Sequence, residues 1–512
     1  MRLPAVFLLA LLVGLGACSS GESASEDMPA EPTPTTTPLP QVEREFRGVW
    51  IATVANIDWP SEPGLPVAQQ QAELRHLFDQ ANRLGFNAIV MQIRPTADAL
   101  YASELEPWSA YLTGQQAQAP SPHYDPLAFA VDEAHKRGLE LHAWFNPYRA
   151  FHPSAEGSQV PMHMSQRRPD LVKDYGTLQW MDPGEPDAAA HSLAVMMDVV
   201  ERYDVDGIHL DDYFYPYPVS DSLGQEVPFP DDPSWARAQA AGTTLGRNDW
   251  RRKNIDDFIE RLYLQIKATK PHVKFGISPF GIWRPGHPEQ IQGFDQYDKL
   301  YADAKKWLNK GWIDYYTPQL YWAIEQTAQS YPVLLDWWIG ENTEQRHIWP
   351  GQYTSRVGFE ANRAWDASEI TEQIRLTRER PGATGTVHFS MQAIEKNANG
   401  IADALAEAYA APALVPASPW LDPATPASPE IALVGLGGTA YVEMTPGNDV
   451  LPAHWIVHTY RPSSGWTTEL LPGWRTTYDL TDPAATELAV TAVSRVGVEG
   501  PAARLMVNGL PQ

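Results

Sequence analysis

The chain has 512 residues, 43% of them hydrophobic, a net charge of −25 and a single cysteine. That length exceeds one ordinary core, so two folded domains plus tails are expected. The charge argues against nucleic acid or an anionic membrane face as a partner, and one cysteine excludes an internal disulfide and a cysteine-built zinc site.

Residues 1–17 have the form of a secretory signal: a basic start at Arg2, an apolar run from Ala5, then small residues before Cys18. The run is too short for a conventional membrane span. Its LGAC ending resembles a bacterial lipobox, which implies cleavage before Cys18 and lipidation of its sulfur and new amino terminus. The competing reading is an ordinary signal peptide with an incidental cysteine. Ser19 and Ser20 resemble an outer-membrane sorting signal of a diderm bacterium. The expected location is therefore the cell envelope, lipid-anchored to the outer membrane and facing the periplasm. Residues 19–44 are rich in Ser, Pro, Thr and Glu and cannot bury a core. With Cys18 they read as a tether reaching tens of ångströms, at about 5–6 Å × √n.

From Phe46 onward strand and helix patterns alternate. Strands are predicted over 46–54, 87–95, 139–149, 205–212, 274–281, 313–322, 347–353 and 383–391. Helices are predicted over 68–85, 125–138, 189–203, 250–270, 297–311, 331–341, 367–380 and 400–410. Eight such units over 45–410 match a (β/α)8 barrel. A doubly wound open sheet lacks support, because no glycine-rich phosphate loop follows the first strand. The surplus length lies in loops 150–188 and 214–249, on the face where barrels do chemistry. Residues 411–429 are Ala/Pro-rich and read as a linker. Residues 430–512 carry short alternating strands at the spacing of a β-sandwich. Their order resembles a fibronectin type III module, which implies a positioning role and not a catalytic one.

The stretch that organises the chain is VDGIHLDDYFYPYP, 205–218. Side chains alternate along a strand, so Val205, Gly207, His209, Asp211 and Tyr213 share the inner face while Ile208 and Leu210 face outward. Asp211 then projects from the C-terminal tip, the catalytic end of a parallel barrel. The bland alternative is that Asp211 and Asp212 cap a helix or begin a turn; the aromatic run that follows favours a sugar site. Nineteen Trp and 21 Tyr supply stacking faces, although Trp is also good core material. The other strand tips and their loops offer candidate substrate contacts: Asn56, Asp58, Trp59, Arg94, Trp144, Asn146, Tyr148, Arg149, Trp283, Gln319, Tyr321, Trp322, Trp349 and His388. His209 belongs with them, although an interior histidine bonded to its neighbours is the plainer reading.

Glycoside hydrolysis needs an ionised carboxylate and a protonated one whose pKa is raised. Asp211 fits the first. For the acid, Glu325 lies beyond the sixth strand, across the mouth; Asp212 requires a twist at the tip to turn inward; Asp58 is a third candidate. A helix-start position accounts equally well for Glu325.

The segments VWIATVANIDWPS, QIRPTADALY, WFNPYR, DGIHLDDYFYPYP, GISPFGIWR and PQLYW together resemble the glycosyl-hydrolase-like family ten, bacterial envelope barrels, over nearly the whole of 46–410. The resemblance implies a glycosidase barrel acting on peptidoglycan glycan strands. Its similarity to broader barrel glycosidases implies a nucleophile at the end of strand four, which is Asp211; it does not fix the acid. It implies a cell-wall glycan polymer as partner, the membrane only through the lipid anchor, and leaves protein partners at the division site open. No cofactor or metal is called for. Two other functions compete: a glycan-binding lipoprotein with a degenerate site, and a metal-dependent deacetylase using His142, His209, His388 and Asp211. The latter lacks the close-spaced histidine pair of a convincing metal site. The acidic surface is expected to repel acidic stem peptides except where Arg94, Arg149 or Arg284 line the cleft.

Overall fold

In the computed structural model, which describes residues 37–155, 157, 159–358, 364–436, 439–448 and 450–507, parallel strands follow one another round a closed wall. They are β1 (Phe46–Ile51), β2 (Ala88–Arg94), β3 (Glu140–Phe145), β4 (Gly207–Leu210), β5 (Lys274–Ile277), β6 (Tyr315–Tyr316), β7 in two segments (His347–Ile348 and Gly351–Gln352) and β8 (Gly385–His388). Closure runs through the interrupted β7. It pairs with the β6 side at Tyr315↔His347 and Gln319↔Gly351, and with the β8 side at Ile348↔Ala383 and Gly351↔Val387. β8 pairs with β1 at Gly385↔Phe46, so every strand has two neighbours. This is the (β/α)8 barrel expected from the alternation.

Its outer layer is α1 (Val67–Arg83), α2 (Pro126–Lys136), α3 (Pro186–Arg202), α4 (Arg247–Thr269), α5 (Ala304–Asn309), α6 (Tyr331–Glu341), α7 (Ala367–Arg378) and α8 (Ile401–Ala408). α1 buries Gln70, Leu74, Leu77, Phe78 and Ala81, the i, i+3/i+4 stripe that makes an amphipathic helix. α2 begins where Asp125 accepts hydrogen bonds from the backbone N–H of Leu127 and Ala128, with Pro126 in the first turn. Ile208 and Leu210 of β4 face this helical layer, as alternation predicts. Val205 joins the same outer core and not the inner face, because it precedes the strand and the period of two does not yet apply to it.

The barrel interior is filled by rings. Phe46 stacks on Trp349 with centroids 3.7 Å apart, and Tyr315 on Trp349 at 4.7 Å. Glycines make the room: a Cβ at Gly276 would lie 2.0 Å from Tyr315, and one at Gly207 2.5 Å from His142. Trp349, a predicted sugar contact, is thus interior packing.

The loop after β3 folds into a three-stranded antiparallel sheet (Arg149–Phe151, Leu178–Met181, Val172–Tyr175), and the loop after β4 carries the helix Asp232–Ala240. At the C-terminus, Glu430–Leu436, Thr439–Thr445 and Thr477–Asp479 form one antiparallel sheet. Gly465–Pro472, His454–Arg461, Glu487–Val493 and Ala503–Met506 form a second. Trp455, Val457, Val442 and Leu488 are buried between the strands as a separate core.

This small domain docks on the N-terminal face of the barrel. Arg495 pairs with Asp204 and, at 2.9 Å, with Asp206 before β4; His454 Nε2 lies 3.0 Å from the Gly138 carbonyl before β3. The stretch expected as a linker is held to the same face. Ala413–Leu414 pairs in parallel with Glu43–Arg44, Ser418 Oγ meets His347 Nε2 at 3.0 Å, and Trp420 donates to Asp314 at 3.0 Å. The mouth at the opposite end is left open. Replacing Trp349 by Ala should cost about 3–5 kcal/mol, the usual range for emptying a large buried site, seen as a lower denaturant midpoint. An unchanged midpoint would contradict its interior placement.

Candidate active site

A cavity of about 310 Å³ opens at the C-terminal ends of the strands. β1 contributes Trp50 and Ala52; β2 and β3 contribute Gln92, Trp144 and, just beyond, Arg149. β4 and its loop contribute Asp211, Asp212, Tyr213 and Tyr217; Ser278, Gln319, Tyr321 and Phe389 complete the wall from β5, β6 and β8. A larger cavity of about 390 Å³ lies between the N-terminal face and the C-terminal sheets. Its Asp204 and Asp206 are already paired with Arg495, Asp206 also with His135 at 2.8 Å, and its Glu140 with Lys274 at 2.7 Å, so among the described residues it holds no unpaired acid.

Asp211 reaches the mouth by strand parity and is held there. Its Oδ2 accepts from Asn146 Nδ2 at 2.5 Å and Trp144 Nε1 at 3.1 Å, and its Oδ1 accepts from the Tyr213 N–H at 3.2 Å. The last contact is the aspartate turn of the bland reading, so one side chain both starts the turn and faces the cavity. Asn146 is fixed in turn: its Oδ1 accepts from Gln92 Nε2 at 2.5 Å and Arg149 Nη2 at 2.7 Å. Asp212 lies at the same mouth with Tyr217 donating its hydroxyl to Oδ2. Burial pushes both carboxyls up. At Asp211 the Arg149 charge and the three donors oppose this, whereas Asp212 is driven to about 7 by burial and then by the charge of Asp211. Two adjacent buried carboxyls do not both ionise readily; the donors and the Arg149 charge favour the anion at Asp211, and burial beside that charge favours the protonated form at Asp212.

Beneath them runs a hydrogen-bond chain whose direction is fixed by one group. Trp50 Nε1 is a donor only and lies 3.3 Å from His209 Nε2, which therefore accepts; Ser278 Oγ lies 2.9 Å from the same nitrogen. Burial and the neighbouring His142 hold the His209 pKa far down, so the ring is neutral with its proton on Nδ1. That N–H donates to Tyr315 Oη at 3.0 Å, the tyrosine donates to His142 Nδ1 at 2.8 Å, and His142 Nε2–H donates to Glu140 at 2.9 Å. Lys274 closes the chain on Glu140 at 2.7 Å. His209 is the bonded interior histidine of the plainer reading, and it steadies the Trp50 indole under the cleft.

The other predicted site residues separate. Trp144, Arg149, Asp211, Asp212, Tyr213, Gln319 and Tyr321 line the cavity, with Asn146 and His209 directly behind. Glu325 is exposed and does not line it: Ile324 is fixed by its N–H to Glu369 at 2.8 Å, and the next side chain turns to solvent. Asp58 has its oxygens occupied by the Ala52 N–H (2.7 Å), the Gln392 N–H (2.7 Å) and Ser390 (2.8 Å). Asn56 ties the carbonyls of Pro60 and Tyr111, both at 2.9 Å, and Trp59 is buried with its N–H on the Gln70 carbonyl. Arg94 is locked to Glu106, Arg284 to Asp295 and Asp298. Tyr148 is in the core against Phe258. Trp283 stacks on Trp337 and Trp322 packs edge-on against Phe280, both outside the cavity wall. His388 points outward to Tyr409 and Thr354, because Val387 is the inward residue of β8. His142, His209, His388 and Asp211 therefore do not converge on one point. Tyr217 of the aromatic run and Ser278 at the tip of β5 also line the cavity, and with them Trp50 and Phe389, which the sequence does not single out. Trp50 sits inside an apolar strand run, and only the inward parity of β1 hinted at it.

An acid at about 7 beside a fixed carboxylate, among rings that stack on sugars, is what protonating a glycosidic oxygen requires. The fold and site define the class of (β/α)8 glycoside hydrolases. Sequence comparison narrows it: the family model described as Glycosyl hydrolase-like 10 matches residues 45–367, and the chain belongs to that family. Glycosyl hydrolase YngK of Bacillus subtilis (strain 168) is 43% identical over 77% of this chain and 78% of its own length. Glycosyl hydrolase DigH of Escherichia coli (strain K12) is 33% identical over 77% of this chain and 94% of its own. Among solved structures, the glycoside hydrolase domain of PgaB from Bordetella bronchiseptica aligns with 71% of this chain and 99% of its own, at 13% identity and a TM-score of 0.43.

Asp212→Asn should lower kcat by roughly 10²–10⁴-fold, the usual contribution of a general acid. Because the acid works protonated, kcat/KM of the native enzyme should fall as pH rises through about 7, and the residual rate of the variant should lack that limb. Tyr315→Phe breaks the chain between the two histidines. It should cost about 1–3 kcal/mol by leaving a buried polar group unsatisfied, measured by denaturant unfolding.

Proposed function

We propose that this glycoside hydrolase cuts the glycan strands of peptidoglycan while anchored by a lipid on Cys18. The observation that carries the reading is the placement of the two ends of the barrel. The chain enters through Glu43–Arg44 at the N-terminal face, beside the docked C-terminal sheets, and the catalytic mouth opens at the other end. A protein tethered through that face presents its cleft away from the membrane, towards a polymer that is itself fixed. Cys18 and residues 1–17 lie outside the described residues; the support for lipidation is the LGAC sequence and the polar tether that follows. The same sequence, with Ser19 and Ser20, supports an outer-membrane site facing the periplasm. The C-terminal sheets, which we read as a fibronectin type III module, act as a spacer at the base.

In the reaction Asp212 protonates the leaving glycosidic oxygen and Asp211 bears the negative charge that faces the developing cation at C1. Trp50, Trp144, Tyr213 and Tyr321 offer faces for the sugar rings. Arg149 is the cation that the cleft retains, and the chain outside it is strongly acidic. Strands stripped of their acidic stem peptides should therefore be cut faster than strands that carry them.

The test is digestion of purified peptidoglycan with and without stem peptides, reading new reducing ends and chain shortening. We expect cleavage by the native enzyme, faster on the peptide-free strands, and cleavage slowed by roughly 10²–10⁴-fold with Asp212→Asn. New ends from other polysaccharides but not from peptidoglycan would overturn the choice of polymer.

A further inference from the structure

The cleft has an acid and a carboxylate, but both stand on one wall. Asp211 and Asp212 are consecutive at the end of β4, so both rise from one strand. A glycosidase that uses its own nucleophile or its own base sets two carboxyls on either side of the sugar, about 5–5.5 Å or 6.5–9.5 Å apart. Across the mouth from β4 lie the ends of β8 and β1, and there the cavity is lined by Phe389, Ala52, Val54 and Ala55. The carboxyl of that side, Asp58, does not line the cavity and spends its oxygens on two backbone N–H groups and Ser390. Among the described residues, no acid faces Asp212 from the opposite wall.

Asp211 is also poorly suited to attack carbon. Its oxygens already accept three hydrogen bonds, and donors directed at a carboxylate withdraw the electron density a nucleophile needs. Such a carboxylate is well suited to accept one more N–H. The apolar far wall, meanwhile, fits a methyl group better than a water or a charge.

We propose that the substrate supplies the missing nucleophile: the enzyme acts on 2-acetamido-2-deoxyhexosides, with Asp211 holding the acetamido N–H and Asp212 protonating the leaving oxygen. The acetamido carbonyl oxygen donates a lone pair to C1 as the C1–O bond breaks. The bonding pair leaves with the glycosidic oxygen, which takes the proton of Asp212. The product is a five-membered oxazolinium ring whose N–H stays on the Asp211 carboxylate. Water then adds to C1, the C1–O bond of that ring opens to restore the acetamide, and the water's proton passes to Asp212. The sum is one glycoside plus one water, with the configuration at C1 retained.

The inference rests on the glycoside hydrolase reading of this cleft but not on the choice of peptidoglycan. It is tested with peptide-free glycan strands before and after N-deacetylation, and with chitin oligomers against their deacetylated forms. We expect kcat to fall at least 100-fold on removing the acetyl group in whichever polymer is cut. Equal rates would overturn the inference, as would a covalent glycosyl adduct on Asp211 trapped with a 2-deoxy-2-fluoro glycoside and found by intact-protein mass. Cleavage of chitin oligomers but not of peptidoglycan would sink the proposed polymer and leave the mechanism standing. A second measurement does not depend on turnover: calorimetric binding of the 1,2-fused thiazoline of N-acetylglucosamine, which mimics the ring intermediate. Native enzyme should bind it, and Asp211→Ala, checked for folding by circular dichroism, should bind it at least tenfold more weakly. No binding by the native enzyme would overturn the inference.

Discussion

The cleft depends on keeping two neighbouring carboxyls out of water at the end of one strand. Taken alone, Asp211 and Asp212 would both be pushed towards protonation by burial, and the site would have no anion. Asn146, Trp144, the Tyr213 N–H and the charge of Arg149 break the tie in favour of Asp211, and the anion so fixed raises Asp212 to about 7. The acid strength of one residue is thus set by the donors arranged around the other. Those donors are themselves held: Gln92 and Arg149 orient Asn146, so residues that touch no substrate decide which carboxyl carries the proton.

The barrel divides this work between its two ends. At the N-terminal end the charged groups neutralise one another. Lys274 meets Glu140, Arg495 meets Asp204 and Asp206, and the C-terminal sheets and the 411–429 segment are bolted on there. Between the ends stands a polar column, Glu140–His142–Tyr315–His209–Trp50, every member of which finds a partner. Such a column stays rigid because a half-satisfied version inside a dry barrel is costly. It rises through the interior beside the stacked Phe46, Tyr315 and Trp349 rings, and its top member is part of the cavity wall.

The catalytic arrangement has a cost in stability. Asp212 is buried with its pKa raised to about 7, and Asp58, outside the cleft, adds a buried carboxyl raised to about 6. Between about pH 4 and these values the folded chain binds protons that the unfolded chain has released. Stability therefore declines as pH rises through that window and levels off above it. A carboxyl that must donate a proton near neutrality cannot avoid this, since the raised pKa and the lost stability are one free energy.

By itself the sequence determined what is periodic or local. The spacing of apolar residues set out the eight strand–helix units, the alternation along β4 aimed Asp211 inward and Ile208 outward, and short alternating runs marked the C-terminal sheets. Which of the polar and aromatic tips line the cleft was decided only by the tertiary structure. Trp59, Tyr148, Trp349 and His388 carry the same chemistry as Trp144 and Tyr321, yet they point into the core, the barrel interior or the helical layer. The placing of Asp212 in the cleft and of Glu325 outside it is of the same kind. It follows from a turn past the strand end and from contacts to Asp211 made by residues 65 and 67 positions away in the chain. Burial and charge are sums over spatial neighbours, and no window along the sequence contains them.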